Sequence, residues 1–358
     1  MDLETFRRRL TAHGALPVHV RRVLRLWSQG LPQDHGRRKP QDTLPAAVRA
    51  ELPALLADLE ALARVDSEHP AADGARRLLV RLADGQGIEA VLLPRGGLCV
   101  STQVGCAVGC GFCMTGRSGL LRQLGSAEIV AQVALARRLR AVRKVVFMGM
   151  GEPAHNLDAV LDAVELLGTL GGLGHKAIVV SSVGDARLFE RLQALPPGAV
   201  RPALALSLHS CDDARREALL PRAPRLPVAE LAAAATRWAR DSGYPLQVQW
   251  TLLAGLNDGD DELEGLVRLF AGQPAIVNFI PWNTVEGLPW RRPDPARSVT
   301  MVRALRERGV LATLRQSAAQ DVDGGCGQLR ARVDGAAGAD AVPLRRIDRA
   351  RPAAAAAA

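Results

Sequence analysis

Cysteine is the residue type whose number and spacing most directly indicate chemistry in this sequence. Three of the six cysteines, Cys106, Cys110 and Cys113, lie within eight residues in a C-x3-C-x2-C arrangement. Thiolates are the usual ligands of iron–sulfur clusters, and three close ligands leave the fourth iron open to a small molecule. A zinc knuckle is the alternative, but a structural zinc site normally needs four ligands, and no fourth lies nearby. The spacing predicts a [4Fe-4S] cluster.

Polar groups and glycines follow several apolar runs, where strands would end. Gly151 and Glu152 follow one such run, Ser181 ends the next, and Ser207–His209 end another. Glycine lets a ligand approach the backbone, a carboxylate can hold an ammonium group, and hydroxyl groups can hold a ribose. An ordinary turn or a locally satisfied side chain is the alternative at each position.

The elements that must position these groups alternate between apolar runs and helical patterns. Counting a strand at Leu98, about six strand–helix units occupy roughly 200 residues, with a further strand near 310–315. Such alternation predicts an α/β fold with a parallel sheet flanked by helices, curled into a partial (β/α)6 barrel. A doubly wound open sheet is the alternative. The predicted strands of the second half are 144–148, 177–183, 203–208, 246–253 and 275–280.

The regions outside the barrel differ in pattern. Residues 1 to about 80 show helical spacing of leucines, whereas 87–93 and 98–102, joined by a turn at 94–97, predict a β-hairpin extension. The division that we predict is a helical N-terminal RNA-binding domain at 1–85, a catalytic core at 86–331 and a disordered tail at 332–358.

Charge and hydropathy limit the classes of partner. The net charge is +9, from 46 Lys and Arg against 37 Asp and Glu, and arginine supplies nearly all of the positive charge. Such a balance favours a polyanion such as RNA. The basic clusters at 7–9, 21–22 and 37–39 could touch RNA phosphates, although solvated helix faces are the alternative. No run of 18 apolar residues and no signal-like N-terminus occurs, which predicts a cytoplasmic protein without membrane association.

Longer motifs around the cysteines resemble one known family. The run from Cys99 to Gly116 resembles the RlmN/Cfr family of radical S-adenosylmethionine (SAM) RNA methyltransferases, with an aromatic residue before the last cysteine. Further motifs of that family follow in order over residues 86–330. They are 147–153, 180–184, 206–209, 255–258, 278–283 and 323–329.

The resemblance implies a role for each candidate residue. It assigns the cluster to Cys106, Cys110 and Cys113, and catalytic roles to Glu89, Cys99 and Cys326. One SAM would methylate Cys326, and a second, cleaved at the cluster, would yield a 5′-deoxyadenosyl radical that activates the S-methyl group. Cys99 would release the product through a transient disulfide, and Glu89 would accept a proton. The SAM pocket would comprise Gly151, Glu152, Ser181, Ser207, Leu208, His209 and Asn283.

The resemblance also implies substrates and partners. The target would be C2 of an adenosine in 23S rRNA (adenosine 2503), with tRNA adenosine 37 as a further substrate. The electron donor would be a flavodoxin or ferredoxin, and the enzyme a monomer. Pro153 favours C2, while a Cfr-like C8 enzyme and a non-catalytic iron–sulfur RNA-binding protein are the alternatives. Departures from the family pattern at Met114, 220–224 and 315–323 concern the RNA target rather than the chemistry.

Overall fold

The computed structural model describes residues 1–117, 119–283 and 288–319. Its helices are α1 (Leu3–Ala12), α2 (Pro17–Ser28), α3 (Pro40–Thr43), α4 (Ala46–Ala61), α5 (Ser126–Leu139), α6 (Leu157–Thr169), α7 (Ala186–Gln193), α8 (Asp213–Leu219), α9 (Val228–Ser242), α10 (Asp260–Phe270) and α11 (Pro295–Glu307). Its strands are β1 (Ala63–Pro70), β2 (Arg76–Leu82), β3 (Gly87–Leu93), β4 (Gly97–Cys99), β5 (Gln103–Gly105), β6 (Leu120–Gln123), β7 (Lys144–Phe147), β8 (Ile178–Ser182), β9 (Ala203–Ser207), β10 (Leu246–Leu252), β11 (Ala275–Pro281) and β12 (Leu311–Leu314).

One large sheet organises the described residues, in the strand order β1-β2-β3-β4-β7-β8-β9-β10-β11-β12. Strands β4 and β7–β12 are parallel to one another, whereas β1–β4 pair antiparallel. Helices connect the parallel strands because such strands need a long crossover. The predicted α/β fold, a partial barrel with a hairpin extension and N-terminal helices, is confirmed. The carboxyl ends of the parallel strands share one edge, which is where such folds place ligands.

The predicted β-hairpin before the cysteines is confirmed. Strands β3 and β4 pair antiparallel, with Leu92 opposite Leu98. A short 3-10 turn joins them, and Arg95 and Gly96 both have positive φ there, at 62° and 79°. The second hairpin strand is at the same time the first parallel strand of the barrel, since β4 also pairs with β7.

The expectation that residues 63 to about 80 are helical is wrong. They form β1 and β2, an antiparallel pair that extends the large sheet beyond β3. Exposure alternates along β1, as a strand with one solvated face requires. A tight turn with Gly74 at φ 80° joins the two strands. The leucines of β2 fit either period by themselves, and pairing with β3 decides in favour of a strand.

The N-terminal helices pack directly against the barrel. Leu3, Phe6 and Trp27 are buried in one hydrophobic core with residues of β4, α5 and β7. The Leu3 amide donates to Ser126 Oγ at 2.9 Å, which fixes α1 at the start of α5. The predicted division at residue 85 therefore falls inside one sheet, between β2 and β3. A separate role for 1–85 remains a prediction.

Two further expectations concern the ends of the architecture. Among the described residues, no helix combines the length and hydrophobicity that a bilayer span requires. The tail at 332–358, for which we predict disorder, lies outside the described residues.

Candidate active site

A two-stranded hairpin, which the sequence analysis missed, closes the base of the cysteine loop. Strands β5 and β6 pair antiparallel on either side of the loop, and the Cys106 amide donates to the Gly119 carbonyl at 2.8 Å. Gly105 has φ 82°, and a Cβ there would lie 2.0 Å from the Gly119 carbonyl oxygen. Only glycine fits at this position. The hairpin thus brings both ends of the loop to the edge of the barrel.

The three cysteines of this loop line one cavity of about 400 Å3. Cys106 is buried, and Cys110 and Cys113 are half-buried. Burial raises the pKa of the Cys106 thiol to about 12 and that of Cys110 well above its usual range, and repulsion from the neighbouring thiolates adds to both shifts. These thiols are therefore protonated at neutral pH, and metal ions that bind them must displace the protons.

Two tryptophans from the other side of the barrel hold the cysteine loop. Trp282 Nε1 donates to the Phe112 carbonyl at 3.1 Å, and Trp290 Nε1 donates to the Gly111 carbonyl at 2.8 Å. The Gly111 amide in turn donates to the Leu219 carbonyl at 3.0 Å. These contacts fix the segment between the second and third cysteines. Trp282 lies in a motif that carried the family resemblance, whereas Trp290 had no signal in the sequence.

The carboxyl ends of neighbouring parallel strands form the opposite wall of the cavity. This juxtaposition follows from the parallel topology, because the residues after each strand meet at one edge. The wall brings together most of the residues that the sequence analysis singled out. They are Gly151, Glu152, Ser181, Ser207, His209 and Asn283, joined by Gly149, Gln249 and Thr251.

The two glycines after β7 make room for close backbone packing. A Cβ on Gly149 would lie 2.7 Å from the Val100 carbonyl oxygen. Gly151 has φ 105°, and a Cβ there would lie 2.7 Å from the side chain of Gln103. Both positions require glycine on steric grounds within the protein. The packing of the end of β7 against the cysteine hairpin is therefore one reason for glycine at both positions, independent of any ligand.

Glu152 is a buried carboxylate at the base of this wall. Its Oε2 accepts from the Val183 amide at 3.0 Å and its Oε1 from the Ala154 amide at 2.9 Å, and its own amide donates to Gln103 Oε1 at 2.7 Å. Burial raises the pKa of this carboxyl, although hydrogen bonds with Ser182, Val183 and Ala154 oppose the shift. A carboxylate has room for about four donors, so Glu152 retains the capacity to accept from a ligand ammonium.

His209 is a neutral donor at the end of β9. Its Nδ1 accepts from the Thr251 amide at 3.0 Å, so the ring proton lies on Nε2. Burial, together with the positive charge of Arg216, lowers the pKa of His209 to about 3. The ring packs edge-on against Phe112 of the cysteine loop, with centroids 4.8 Å apart. His209 therefore joins the strand-end wall to the cysteine loop.

Asn257 holds His209 in its strained backbone position. His209 has φ 64°, an unusual value for a non-glycine residue. Asn257 is fully buried, and its Nδ2 donates to the carbonyls of His209 and Thr251 at 2.8 Å, while its Oδ1 accepts from Leu253. Asn257 belongs to the motif at 255–258 and lies in the turn after β10. Its hold on His209 was not predicted.

Cys99, Arg77 and Glu89 form a second group at the side of the cavity. Cys99 lies on β4 and lines the cavity, and burial raises its pKa to about 12. Glu89 lies on the adjacent β3, and Arg77 on β2 pairs with it at 2.7 Å, with both side chains only 2% exposed. Arg77 also lines the cavity. The sequence analysis missed Arg77, whose only signal was a charge within an apolar strand.

Comparisons with known proteins agree with this geometry. Residues 100–270 match the model of the radical SAM superfamily. A protein from Leptothrix cholodnii named "Probable RNA methyltransferase" is 62% identical over 93% of this chain and 95% of its own length, and a protein of the same description from Methylibium petroleiphilum is 64% identical over 94% and 95%. A crystal structure of a radical SAM methyltransferase from Sphaerobacter thermophilus is 36% identical, with a TM-score of 0.78, over 92% of this chain and 97% of that chain.

The chain belongs to the RlmN-like family of radical SAM proteins. Radical SAM proteins use a [4Fe-4S] cluster and SAM. The donor set fits the cluster, because three thiols, the usual ligands of iron–sulfur clusters, line one cavity. Among the described residues, no three His, Cys, Asp or Glu side chains converge on a single-ion site. In a four-iron cluster each thiolate binds its own iron, so the ligand sulfurs stand farther apart than around one ion.

Two of the described residues expected from the RlmN-like resemblance, Leu208 and Glu89, are not in the cavity lining. Leu208 is fully buried in the hydrophobic core between the sheet and its helices, so only its backbone can face a ligand. Cys326 lies outside the described residues. Cys211 belongs to none of the motifs of the resemblance; it lies outside the cavity lining, and its thiol contacts the Glu262 carbonyl at 3.8 Å.

Proposed function

We propose that this protein is a radical SAM methyltransferase that adds a methyl group to C2 of an adenosine in 23S rRNA, with tRNA as a further substrate. The observation that carries the proposal is the single cavity shared by the three loop cysteines, the strand-end residues and Cys99. The description of the relatives as probable RNA methyltransferases supports an RNA substrate. A non-catalytic iron–sulfur protein has no need of a separate buried thiol such as Cys99 beside the cluster site.

The cavity residues divide into those that hold cofactors and those that act on the substrate. We assign the cluster to Cys106, Cys110 and Cys113. Glu152 would accept from the SAM ammonium group, and His209 Nε2 and the hydroxyls of Ser181 and Ser207, 3.4 Å apart, would bind its other polar groups. The backbone of Leu208 and the side chain of Asn283 complete the proposed pocket. When bound, the cluster and SAM supply a carbon-centred radical.

The chain's own thiols and carboxylate would carry the methyl group and finish the reaction. Cys326 would receive a methyl group from one SAM. That group would lose one hydrogen atom to the radical, and its carbon would bond to the adenine carbon. Glu89 would accept the proton released from the ring carbon while one electron returns to the cluster, and Arg77 would orient the Glu89 carboxylate. Cys99 would then attack the sulfur of Cys326, which breaks the bond between that sulfur and the transferred carbon and forms a disulfide. The freed carbon would take up a proton and so become the methyl group of the released base. Reduction of that disulfide, and of the cluster, calls for an electron donor such as a flavodoxin or ferredoxin.

Pro153 supports C2 rather than C8 as the position of methylation. It lines the same cavity and follows Glu152 directly. The resemblance associates proline here with the C2 enzymes and alanine with the C8 enzymes. Mass mapping of rRNA adenosines from a deletion strain, with and without the restored gene, distinguishes the two. Recovery of 8-methyladenosine instead of 2-methyladenosine would refute the C2 assignment.

Two cysteine variants test the mechanism, with a third as control. Cys326→Ala should form neither methylated protein nor an RNA adduct, because the methyl acceptor is gone. Cys99→Ala should accumulate a protein–RNA crosslink, because the adduct forms and cannot resolve. Cys211→Ala removes a half-buried thiol outside the cavity and should methylate RNA normally. Intact-mass analysis and denaturing gels of protein purified from cells read out all three, and RNA methylation by Cys326→Ala would overturn the mechanism.

The cluster assignment has its own test. Replacement of Cys106, Cys110 and Cys113 together by alanine should abolish iron binding and the EPR signal of the reduced protein. Cys211→Ala should retain about four irons. An undiminished cluster in the triple variant would show that other residues hold it.

The N-terminal region is the proposed place of RNA contact. Arg7 and Arg9 are already paired with Asp162, Glu51 and Asp58. Arg21 and Arg37 are exposed, which leaves them available for phosphates. Arg8 and Arg38 are exposed as well. We expect these exposed arginines, rather than the paired ones, to hold RNA.

A salt titration tests this contact without truncation, which would open the shared core. Loss of two phosphate contacts in Arg21→Gln/Arg37→Gln should reduce the slope of log K against log salt by about 1.5. The control is Arg308→Gln, since Arg308 is exposed and already paired with Glu264. Equal slopes for the double variant, the control and the wild type would place the RNA elsewhere.

A further inference from the structure

A second cavity lies inside the barrel at the end opposite to the cysteines. Its volume is about 340 Å3, and its lining shares no described residue with that of the first cavity. Lys144 and Ala203 are the first residues of β7 and β9, and Gln247 is the second of β10. An apolar layer that includes Cys99, Val146 and Ala205 lies between the two cavities. The remaining lining residues are Lys176, Gly243, Tyr244, Pro245, Ile276, Asn278 and Arg315.

The lining of this second cavity is positively charged without compensation. It contains Lys144, Lys176 and Arg315 and, among its described residues, no aspartate or glutamate. None of these three side chains forms an ion pair within the part of the chain that the structure describes. The three cationic side chains are exposed at the mouth of the cavity, and partial desolvation there, together with the nearby charge of Arg315, lowers the pKa of Lys144. Cations that repel one another in a partly enclosed space are stabilised when an anion binds between them.

Asn278 adds an unpartnered donor to the same wall. Its side chain is fully buried, and its Oδ1 accepts from Thr313 Oγ1 at 2.9 Å. Its Nδ2 is buried without a hydrogen-bond partner. A buried donor without an acceptor destabilises the folded protein, so such groups usually mark a missing ligand or water. The described lining of this cavity therefore offers positive charges without anions and an N–H donor without an acceptor. Both would be satisfied by the same kind of ligand, an anion with acceptor oxygens.

The lysines are also unusual for this chain. The sequence has 46 Lys and Arg, of which only three are lysine, and two of these three line this cavity. Lys176 lies over the ring of Tyr244, with its Nζ 5.7 Å from the centroid, which holds it at the rim. The third lysine, Lys39, lies on the N-terminal helices and donates to the Asp34 carbonyl.

We propose that this cavity is an anion site that binds a phosphate group. Three cations and an amide donor match the charge and the several acceptor oxygens of a phosphate, whereas a chloride or a carboxylate would leave most of them unmet. A volume of about 340 Å3 admits the phosphate together with part of the molecule that carries it. The site lies across the apolar layer from the proposed methylation site and does not depend on that proposed function. The phosphate would belong either to a small phosphorylated compound or to a terminal phosphate of RNA.

Lysine-selective NMR of the intact holoprotein tests the proposal directly. Protein labelled with 13Cε-lysine gives one signal each for Lys39, Lys144 and Lys176. Titration with inorganic phosphate at constant ionic strength should shift the signals of Lys144 and Lys176 along one saturable curve. The Lys39 signal should stay in place as an internal control. No saturable shift, or equal shifts of all three lysines, would overturn the proposal.

Variants of exposed side chains confirm the location without endangering the fold. In Arg315→Gln, the saturating shift of Lys144 should need at least tenfold more phosphate. Arg143→Gln changes an exposed arginine next to Lys144 that is outside the lining, and it should leave the titration unchanged. An unchanged titration in Arg315→Gln would refute the site. A 5′-phosphorylated RNA oligonucleotide and its unphosphorylated form are then tested as competitors of inorganic phosphate. Competition by the phosphorylated form alone would identify an RNA end as the source of the phosphate. No competition by either form would identify a small phosphorylated compound. Both results retain the phosphate site.

Discussion

Replacing the buried Arg77 by methionine should lower the free energy of unfolding far more than the same replacement of an exposed arginine beside it. Arg77 pairs with Glu89 at 2.7 Å, and both side chains are 2% exposed. Removal of Arg77 leaves the buried Glu89 carboxylate without its arginine, and breaking a buried ion pair in this way costs about 3 to 5 kcal/mol. For a chain of this length, that corresponds to a fall in Tm of roughly 4 to 7 °C. The cost arises from the remaining carboxylate rather than from the lost contact.

The adjacent residue provides a matched control. Arg76 lies on the same strand and pairs with Glu68, also at 2.7 Å, but the two side chains are 42% and 34% exposed. Exposed pairs contribute about 0.2 to 1 kcal/mol, so Arg76→Met should lower Tm by only about 1 °C. The two variants thus compare one chemical change at equal distance and different burial.

A double variant separates the buried charge from the loss of packing. In Arg77→Met/Glu89→Leu no charge remains buried, so much of the stability lost in Arg77→Met should return. Urea and thermal unfolding of the metal-free protein, followed by circular dichroism, give the four values needed. The reasoning fails if Arg77→Met costs no more than Arg76→Met, or if the double variant is no more stable than Arg77→Met.

Two further predictions concern the strand-end wall. Gly151→Ala should cost about 1 to 3 kcal/mol more than Gly198→Ala, since both have positive φ but only a Cβ on Gly151 meets a neighbour, at 2.7 Å; equal urea midpoints would refute the clash. His209 has its pKa lowered to about 3, so the unfolded state takes up a proton below about pH 6.5 and the folded state does not. Stability should therefore fall by about 2 kcal/mol more between pH 7 and pH 5 in the wild type than in His209→Asn; parallel pH profiles would show that His209 titrates normally.

Local pattern predicted most of the barrel. Strand and helix periods are properties of short windows, and the strands around Val146, Val180, Leu206 and Trp250 occur where the apolar runs predicted them. The same method failed for β1 and β2, because the leucines of β2 fit a helix as well as a strand. Pairing with β3, together with the turn at Gly74, decided their structure. Contacts between distant segments override local preference in such ambiguous stretches.

The amino-acid sequence alone predicted a cluster-binding cysteine loop and the edge of the sheet on which the site lies. The spacing of three thiols is a local property, and parallel topology brings every strand end to one edge. Which side chains contact one another across the sheet became visible only in the folded structure. The pairing of Arg77 with Glu89, the hold of Trp290 on the loop, and the convergence of Lys144, Lys176 and Arg315 each join residues from different elements. Such contacts depend on register and burial, which are set when the strands pair and which no single stretch of sequence encodes.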